Sequence, residues 1–436
     1  INTTFNTYAK LMEREDETDE EGNAPSCNQF IEGWRSGNAA IGNGSIEQTI
    51  AYLPAGAYTL GVDAIANLQK GADMGSMKDQ DLLFGNDNEQ WLAFAYALKA
   101  RTLLYAASPL FNANNDKSKW AEAAEAAKYV IDNAKDWGLS LSTYASLWGH
   151  DAFFNKEIIF GIGRGENNDF EKANYPIGVE NGASGNCPSQ SLVDQYEYQD
   201  NGETFAQRNP GTINLNNNPY EGLDPRFELT IVKNGDTWPT NGAQKKVIET
   251  FVGGFNAAPK YGATPTGYYL KKYVDGSCVT TADNQTSKRH TWIVMRLAEM
   301  YLDFAEAAFR ATGSANDASF GMSANDAVNV LRGREDINMP KFKEDGEAWV
   351  ERYERERLVE LAFENHRFWD VRRWMKGDKY FKNIAVATLS DGGNTLVRTI
   401  KARNWNEKYN LFPIPQSERL INGKLTQNSG WEINNE

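Results

Sequence analysis

The side chains with the clearest chemical potential are aromatics and amides set in a long irregular stretch, Gly149 to His290. Trp238 sits in GDTWPTNG, Tyr261 in PKYGATP and Tyr175 in KANYPIG, and Trp148 stands just before Gly149. Arg164, Asn167, Asn168, Asp169, Asn181 and Asn241 are interspersed among them. Flat rings shield the apolar C–H face of a cyclic polyol from water, while amides, a carboxylate and a guanidinium take its hydroxyls. This is binding chemistry, and it needs no proton transfer or covalent step. The competing role for each ring is to anchor its own loop by packing. Tyr268 and Tyr269, in TGYYLKKY, alternate as on a strand, which predicts that one of them faces the core.

Motifs for other chemistries fail on spacing. GIGRGE at residues 161–166 lacks both the GxGxxG spacing and the Walker lysine of a phosphate loop. His150, His290 and His366 lie too far apart for an HExxH zinc site, and GASG at 182–185 is not GxSxG. Cys27, Cys187 and Cys278 form no CxxC, so neither a zinc site nor a disulfide framework is indicated. One disulfide plus a spare thiol fits the count, and free thiols are the expectation. Asp63, Asp73, Asp79 and Asp81 lack the DxDxDG spacing of a calcium loop. With 59 acidic residues a glycosidase-like carboxylate pair is compatible with the composition, but the sequence marks no pair over another. No cofactor and no catalytic residue are therefore assigned.

Helices must position the irregular stretch. EQWLAFAYALKARTLLYAASPLFN places Trp91, Ala95, Leu98, Thr102 and Tyr105 on one side, and SKWAEAAEAAKYVIDNA follows after a short polar loop. Two helices with small residues at their contact suggest a tetratricopeptide-like pair. A second hairpin, RLAEMYLDFAEAAFRATG and SANDAVNVLRGRE, begins at Arg296. The repeats are irregular and widely separated, which predicts a broken array. From Trp349 to Met375 the chain has no Pro and no Gly, which predicts one helix of roughly seven turns. Its charges fall at helical pairing distances: Glu351–Arg355, Arg352–Glu356, and the ladder Glu364–Arg367–Asp370–Arg373. Set among Leu361, Phe363, Phe368, Trp369, Val371 and Trp374, these charges are expected to be paired, partly buried and structural rather than catalytic.

The front of the chain reads differently. Residues 1–25 run into an acidic stretch, EREDETDEEGNAPS, expected to be solvated. SIEQTIAYL and AYTLGVDAIAN alternate around Pro54-Ala55-Gly56 in a β-hairpin pattern. The expected organisation is thus a β-rich segment over 1–88 and a mainly α, α+β helical domain over 89–436, with its loop-rich region at about 149–290. A net charge of −14 over 436 residues argues against nucleic acid and anionic membrane surfaces as partners. No run approaches the ~18 apolar residues of a membrane span. The chain begins at Ile1 without Met, which fits a mature or trimmed form.

Seven phrases in order give the chain its resemblance: KARTLLYAASPLFN, PSQSLVDQYEYQDNG, GLDPRFELTIVKNG, TPTGYYLKKYVD, RLAEMYLDFAEA, RERLVELAFENHRFWDVRRW and YNLFPIPQSERLINGKLTQNSGW. Over residues 89–436 it resembles the SusD/RagB family of outer-membrane nutrient-binding lipoproteins. The resemblance implies a tetratricopeptide-like scaffold whose loops bind glycan without catalysis. It also implies a cell-surface location through a lipid anchor in the precursor, and a SusC-like TonB-dependent transporter as partner. The ligand contacts expected on this reading are Trp148, Arg164, Asn168, Asp169, Tyr175, Asn181, Trp238 and Tyr261. The chain departs from the family at its front, where residues 1–88 carry no lipobox and Cys27 lies in a polar stretch. A peptide-binding member of the same family, and a glycoside hydrolase with an accessory β module, remain the alternatives.

Overall fold

Alanine decides how the helices of this protein meet. The computed structural model describes residues 88–149, 152 and 154–432. The expected β-hairpin, the acidic stretch, the four aspartates, Cys27 and His150 lie outside them. Helix α1 (Asn88–Ala107) and helix α2 (Lys117–Asn133) form the first pair, joined by a loop in which Asp116 caps α2 by accepting from the Ser118 amide. The main buried line on α1 is Ala93, Ala97, Ala100, Leu104 and Ala107; of the face expected, Ala95 is buried but Leu98, Thr102 and Tyr105 are half-buried, so the buried face is rotated from the one expected. On α2 it is Trp120, Ala123, Ala124, Ala127 and Val130. With no more than a methyl group at most of these positions the axes approach closely, and α2 packs against both α1 and helix α3 (Leu297–Thr312). Gly313, in the left-handed region at φ +86°, ends α3, and helix α4 (Ala324–Arg332), capped by Ser323, packs back on it.

Strand β1 (Ile158–Asn167) pairs antiparallel with strand β2 (Lys288–Arg296), Ile162 opposite Trp292 and Arg164 opposite His290. The GIGRGE phrase is therefore strand, not a phosphate loop. Strand β2 runs directly into α3, bringing Arg296 into the interior. Most of the irregular stretch lies between β1 and β2. Beyond α4 come helix α5 (Gly346–Glu360), helix α6 (His366–Arg373) and the hairpin of strands β3 (Asn383–Ser390) and β4 (Thr395–Ala402). Ile213–Asn214 extends that hairpin to a third strand on β4.

The single long helix expected from Trp349 to Met375 is two. Between α5 and α6 the chain turns through Phe363 at φ +62° and Asn365 at φ +66°. The break points Glu364 at partners far along the chain. Its carboxylate accepts from Lys272 Nζ at 2.8 Å and from Arg296 Nε at 2.7 Å. Of the local pairs, only Asp370–Arg373 forms, at 2.9 Å. Arg352 binds Glu197 and Glu344, and Arg367 lies over the Tyr380 ring at 4.0 Å.

A buried ion lattice results. Glu360, wholly buried, accepts from Arg296 and Arg334 on one oxygen and from Arg226 on the other, at 2.6–2.8 Å. Glu356 takes Arg226 and Arg332, and Glu157 takes Arg296 and Arg334. A second group joins Arg357 to Asp303 and Asp370, and Arg373 to Asp370 and Glu306. Burial works against ionisation of Glu306 and Glu356. Arg373 in the first case, and Arg226 with Arg332 in the second, nevertheless hold both carboxyls at about 2. These two contribute stability that is complete above their unfolded values and is lost as pH falls towards 2.

Lys272 behaves oppositely. Its ammonium is buried against Trp148, 3.8 Å from the ring centre, and donates to Tyr144 Oη at 2.9 Å. Burial lowers it to about 8, despite Glu364. Between pH 8 and its unfolded value near ~10.4 the unfolded chain holds a proton that the folded chain has released, so stability rises with pH there, by up to about 1.4 kcal/mol per unit. We expect chemical denaturation across pH 8–10 to show this slope in the native protein and its loss in Lys272→Met. Equal slopes in the two proteins would remove Lys272 as its source.

Candidate functional site

The loops are held from within by a small core of their own. Tyr175, Trp238, Ile248, Tyr269, Leu270 and Cys278 pack together, with the Tyr175 and Trp238 rings edge to face at 6.4 Å. Gly276 makes room for Trp238: a Cβ there would lie 2.5 Å from the indole. Tyr175 Oη donates to the carbonyls of Asp275 and Cys278, and burial pushes the phenol above its ordinary range. Asn241 Nδ2 donates to Cys278 O at 2.8 Å, and Asn181 Nδ2 to Thr280 O at 2.6 Å. Four residues expected to meet ligand or to flank it thus converge on the backbone of 275–280.

This corrects the expectation for two of the rings. Tyr175 is 0% exposed and Trp238 5% exposed, so neither offers a face to solvent. The physical reason is that three sequence-distant loops need an apolar centre, and large rings supply most buried area per residue. Trp148 is half-buried, with Tyr144 and Tyr273 edge-on at 5.2 and 4.8 Å and Lys272 over its ring. Asn168 is buried and donates to Gln285 Oε1 and Thr286 O, an anchoring role rather than a contact surface. Asp169 and Arg164 are exposed near the end of β1, and Asn181 is exposed at φ +61°. Tyr268 and Tyr269 are both buried, each in a different core, instead of one facing in and one out. Cys187 and Cys278 are free thiols.

Tyr261 is the opposite case. It is 97% exposed, the most open aromatic among the described residues. It stands on the same loop as Phe255, itself partly open, which sequence reasoning missed. Gly178, at φ +90°, lets Phe255 lie against its backbone, since a Cβ there would sit 2.6 Å from the ring. Asn256 fixes the loop: it is fully buried, donates to Ile177 O at 2.6 Å, accepts from the Glu249 amide, and its carbonyl accepts from Tyr269 Oη. The available signal was the phrase VGGFN, a glycine pair with positive φ at Gly253 beside an aromatic. The result is an exposed ring on a rigidly tied loop.

A surface cleft of about 500 Å³ lies elsewhere, floored by Tyr198 and Ile213 and rimmed by Asn214, Asn217 and Glu221. Its Arg208 lies 3.7 Å over the Tyr198 ring and is matched by Asp200 at 2.6 Å and Glu203 at 3.0 Å. His366 is buried; burial and the nearby arginines keep its imidazole neutral. Among the described residues no cluster of three metal-ligating side chains occurs, and no helix is long and apolar enough to cross a membrane.

Comparison with known proteins places this architecture. The fold is similar to that of a SusD-like protein from Bacteroides fragilis NCTC 9343, with a TM-score of 0.67 and 26% identity, covering 84% of this chain and 70% of the other. It is similar also to a protein from the same strain described as SusD-like and carbohydrate-binding, with a TM-score of 0.60 and 24% identity, covering 77% of this chain and 64% of the other. No curated protein matches. The model of the SusD family matches residues 156–431, which takes in β1, the irregular stretch from residue 156 onward and the buried ion lattice of α5 and α6. The chain is a member of the SusD family.

Proposed function

We propose that the protein binds oligosaccharide at the Tyr261 loop, without transforming it, and delivers it to a SusC-like TonB-dependent transporter at the cell surface, where a lipid anchor in the precursor holds it. The observation that carries this reading is Tyr261, wholly open to solvent on a loop whose neighbours are pinned by the buried Asn256. A ring left in water at that position stabilises nothing in the fold, so its use lies in stacking on something from outside. The SusD-like neighbour described as carbohydrate-binding supports the ligand class. Of the earlier candidates, Asp169, Asn181 and Arg164 retain the exposure that polar contacts require.

A panel of oligosaccharides, with retention measured by calorimetry and products followed over hours, tests it. Tyr261→Ala is expected to weaken the retained glycan about fivefold, equivalent to the ~1 kcal/mol of one stacked ring, with unchanged thermal stability. Release of cleaved product would show an enzyme instead, and retention of peptides in place of glycans would show the peptide-binding alternative. Undiminished glycan affinity in Tyr261→Ala would move the site away from this loop.

A further inference from the structure

Phe255, on the loop that also carries the open Tyr261, holds two ammonium groups. Lys260 Nζ lies 3.8 Å from the Phe255 ring centre and Lys246 Nζ 4.6 Å from it. Lys246 is further tied by donation to Gly178 O at 3.0 Å. Neither lysine has a carboxylate within 4 Å among the described residues, in a chain whose net charge is −14. The nearest acid in the loop, Glu249, turns its Oε2 to the Phe255 amide at 2.9 Å. By contrast Arg208 in the cleft has Asp200 and Glu203, and the buried Arg226 and Arg296 have Glu356 and Glu157. Arg367, Arg372 and Lys408 are also held over rings without a carboxylate, so what sets this loop apart among the described residues is that two such ammonium groups share one ring, on the segment that carries the most open aromatic.

From this we infer that the Tyr261 loop selects acidic saccharides, taking a sugar carboxylate between Lys246 and Lys260 while Tyr261 stacks on the ring. This rests on the carbohydrate-binding reading and adds the ligand class to it. The cation–π contacts reduce the freedom of two long side chains before ligand arrives, which lowers the entropic cost of using both on one carboxylate. A carboxylate bound this way forms charge-assisted hydrogen bonds that a neutral sugar cannot replace. The lysines are exposed, so salt screens them and the preference narrows as ionic strength rises.

The test compares matched probes on the full chain: tetragalacturonate against maltotetraose, and 3′-sialyllactose against lactose. At low salt at least one acidic probe is expected to bind about tenfold more tightly than its neutral partner, with the ratio falling towards ~2 at 0.5 M salt. Lys246→Met with Lys260→Met keeps the side chains packed on Phe255 and removes both charges; it is expected to abolish that ratio and leave neutral-probe affinity within about twofold. If neutral probes bind through Tyr261 and the double substitution changes no ratio, the acidic class is wrong and the glycan site stands. If no probe responds to Tyr261→Ala, both readings fail.

Discussion

Glu360→Ala is expected to cost about 3–5 kcal/mol of folding stability, among the largest losses a single substitution can produce in this chain. The substitution strips one acceptor from each of Arg226, Arg296 and Arg334, all nearly or wholly buried. Their remaining acids, Asp224, Glu356, Glu157 and Glu364, are already engaged with these or neighbouring cations and cannot take over the lost acceptors. Desolvated guanidiniums without full compensation are what makes breaking a buried pair so much more expensive than removing an exposed one. The control is Glu351→Ala, whose carboxylate is exposed and 3.7 Å from Lys379; it should shift stability by less than about 0.5 kcal/mol. Urea unfolding read by tryptophan fluorescence distinguishes them, with Arg334→Met supplying the third corner of a double-mutant cycle. A loss for Glu360→Ala as small as that for Glu351→Ala would mean that water or movement compensates the lattice, and that it does not fix the frame under the loops.

That lattice also shows where the sequence was legible. The charges of WVERYERERLVELAFENHRFWDVRRW were expected to be paired and partly buried; most are, while Arg367 and Arg372 lie over aromatic rings instead of carboxylates and Glu351 is exposed. Their partners were misassigned because spacing reports only neighbours on one helix. Glu356 and Glu360 lie on the inward face of α5, where the counter-charges come from Arg226, Arg296, Arg332 and Arg334 on other elements. The left-handed Phe363 carried no warning, whereas Asn365, of a type that enters that region more readily than most, was a signal that helical spacing alone passes over. The helical pairs themselves were visible through their alanines. The rings were visible as rings, but the sequence could not say which faced water. Trp238 is buried because Gly276, 38 positions later, leaves room for it, a complementarity that no local pattern encodes. Tyr261 has no such recess.

Trp238→Ala is therefore expected to behave as a core deletion, costing about 3–5 kcal/mol through lost burial and the cavity left behind. Its indole fills the space over Gly276 and packs edge to face on Tyr175, whose hydroxyl in turn holds the carbonyls of Asp275 and Cys278. On the proposed site, glycan affinity is expected to fall in this variant as well, because the loop from 246 to 265 leans on the same small core through Ile248 and Tyr269. Loss of binding alone would thus imitate a stacking residue. Two measurements separate the roles. The melting temperature drops in Trp238→Ala and not in Tyr261→Ala, and Trp238→Phe, which keeps an apolar ring in the recess, recovers much of both stability and affinity. A Trp238→Ala protein with native melting and selectively lost affinity would place the indole at the ligand and require the loop to open in solution.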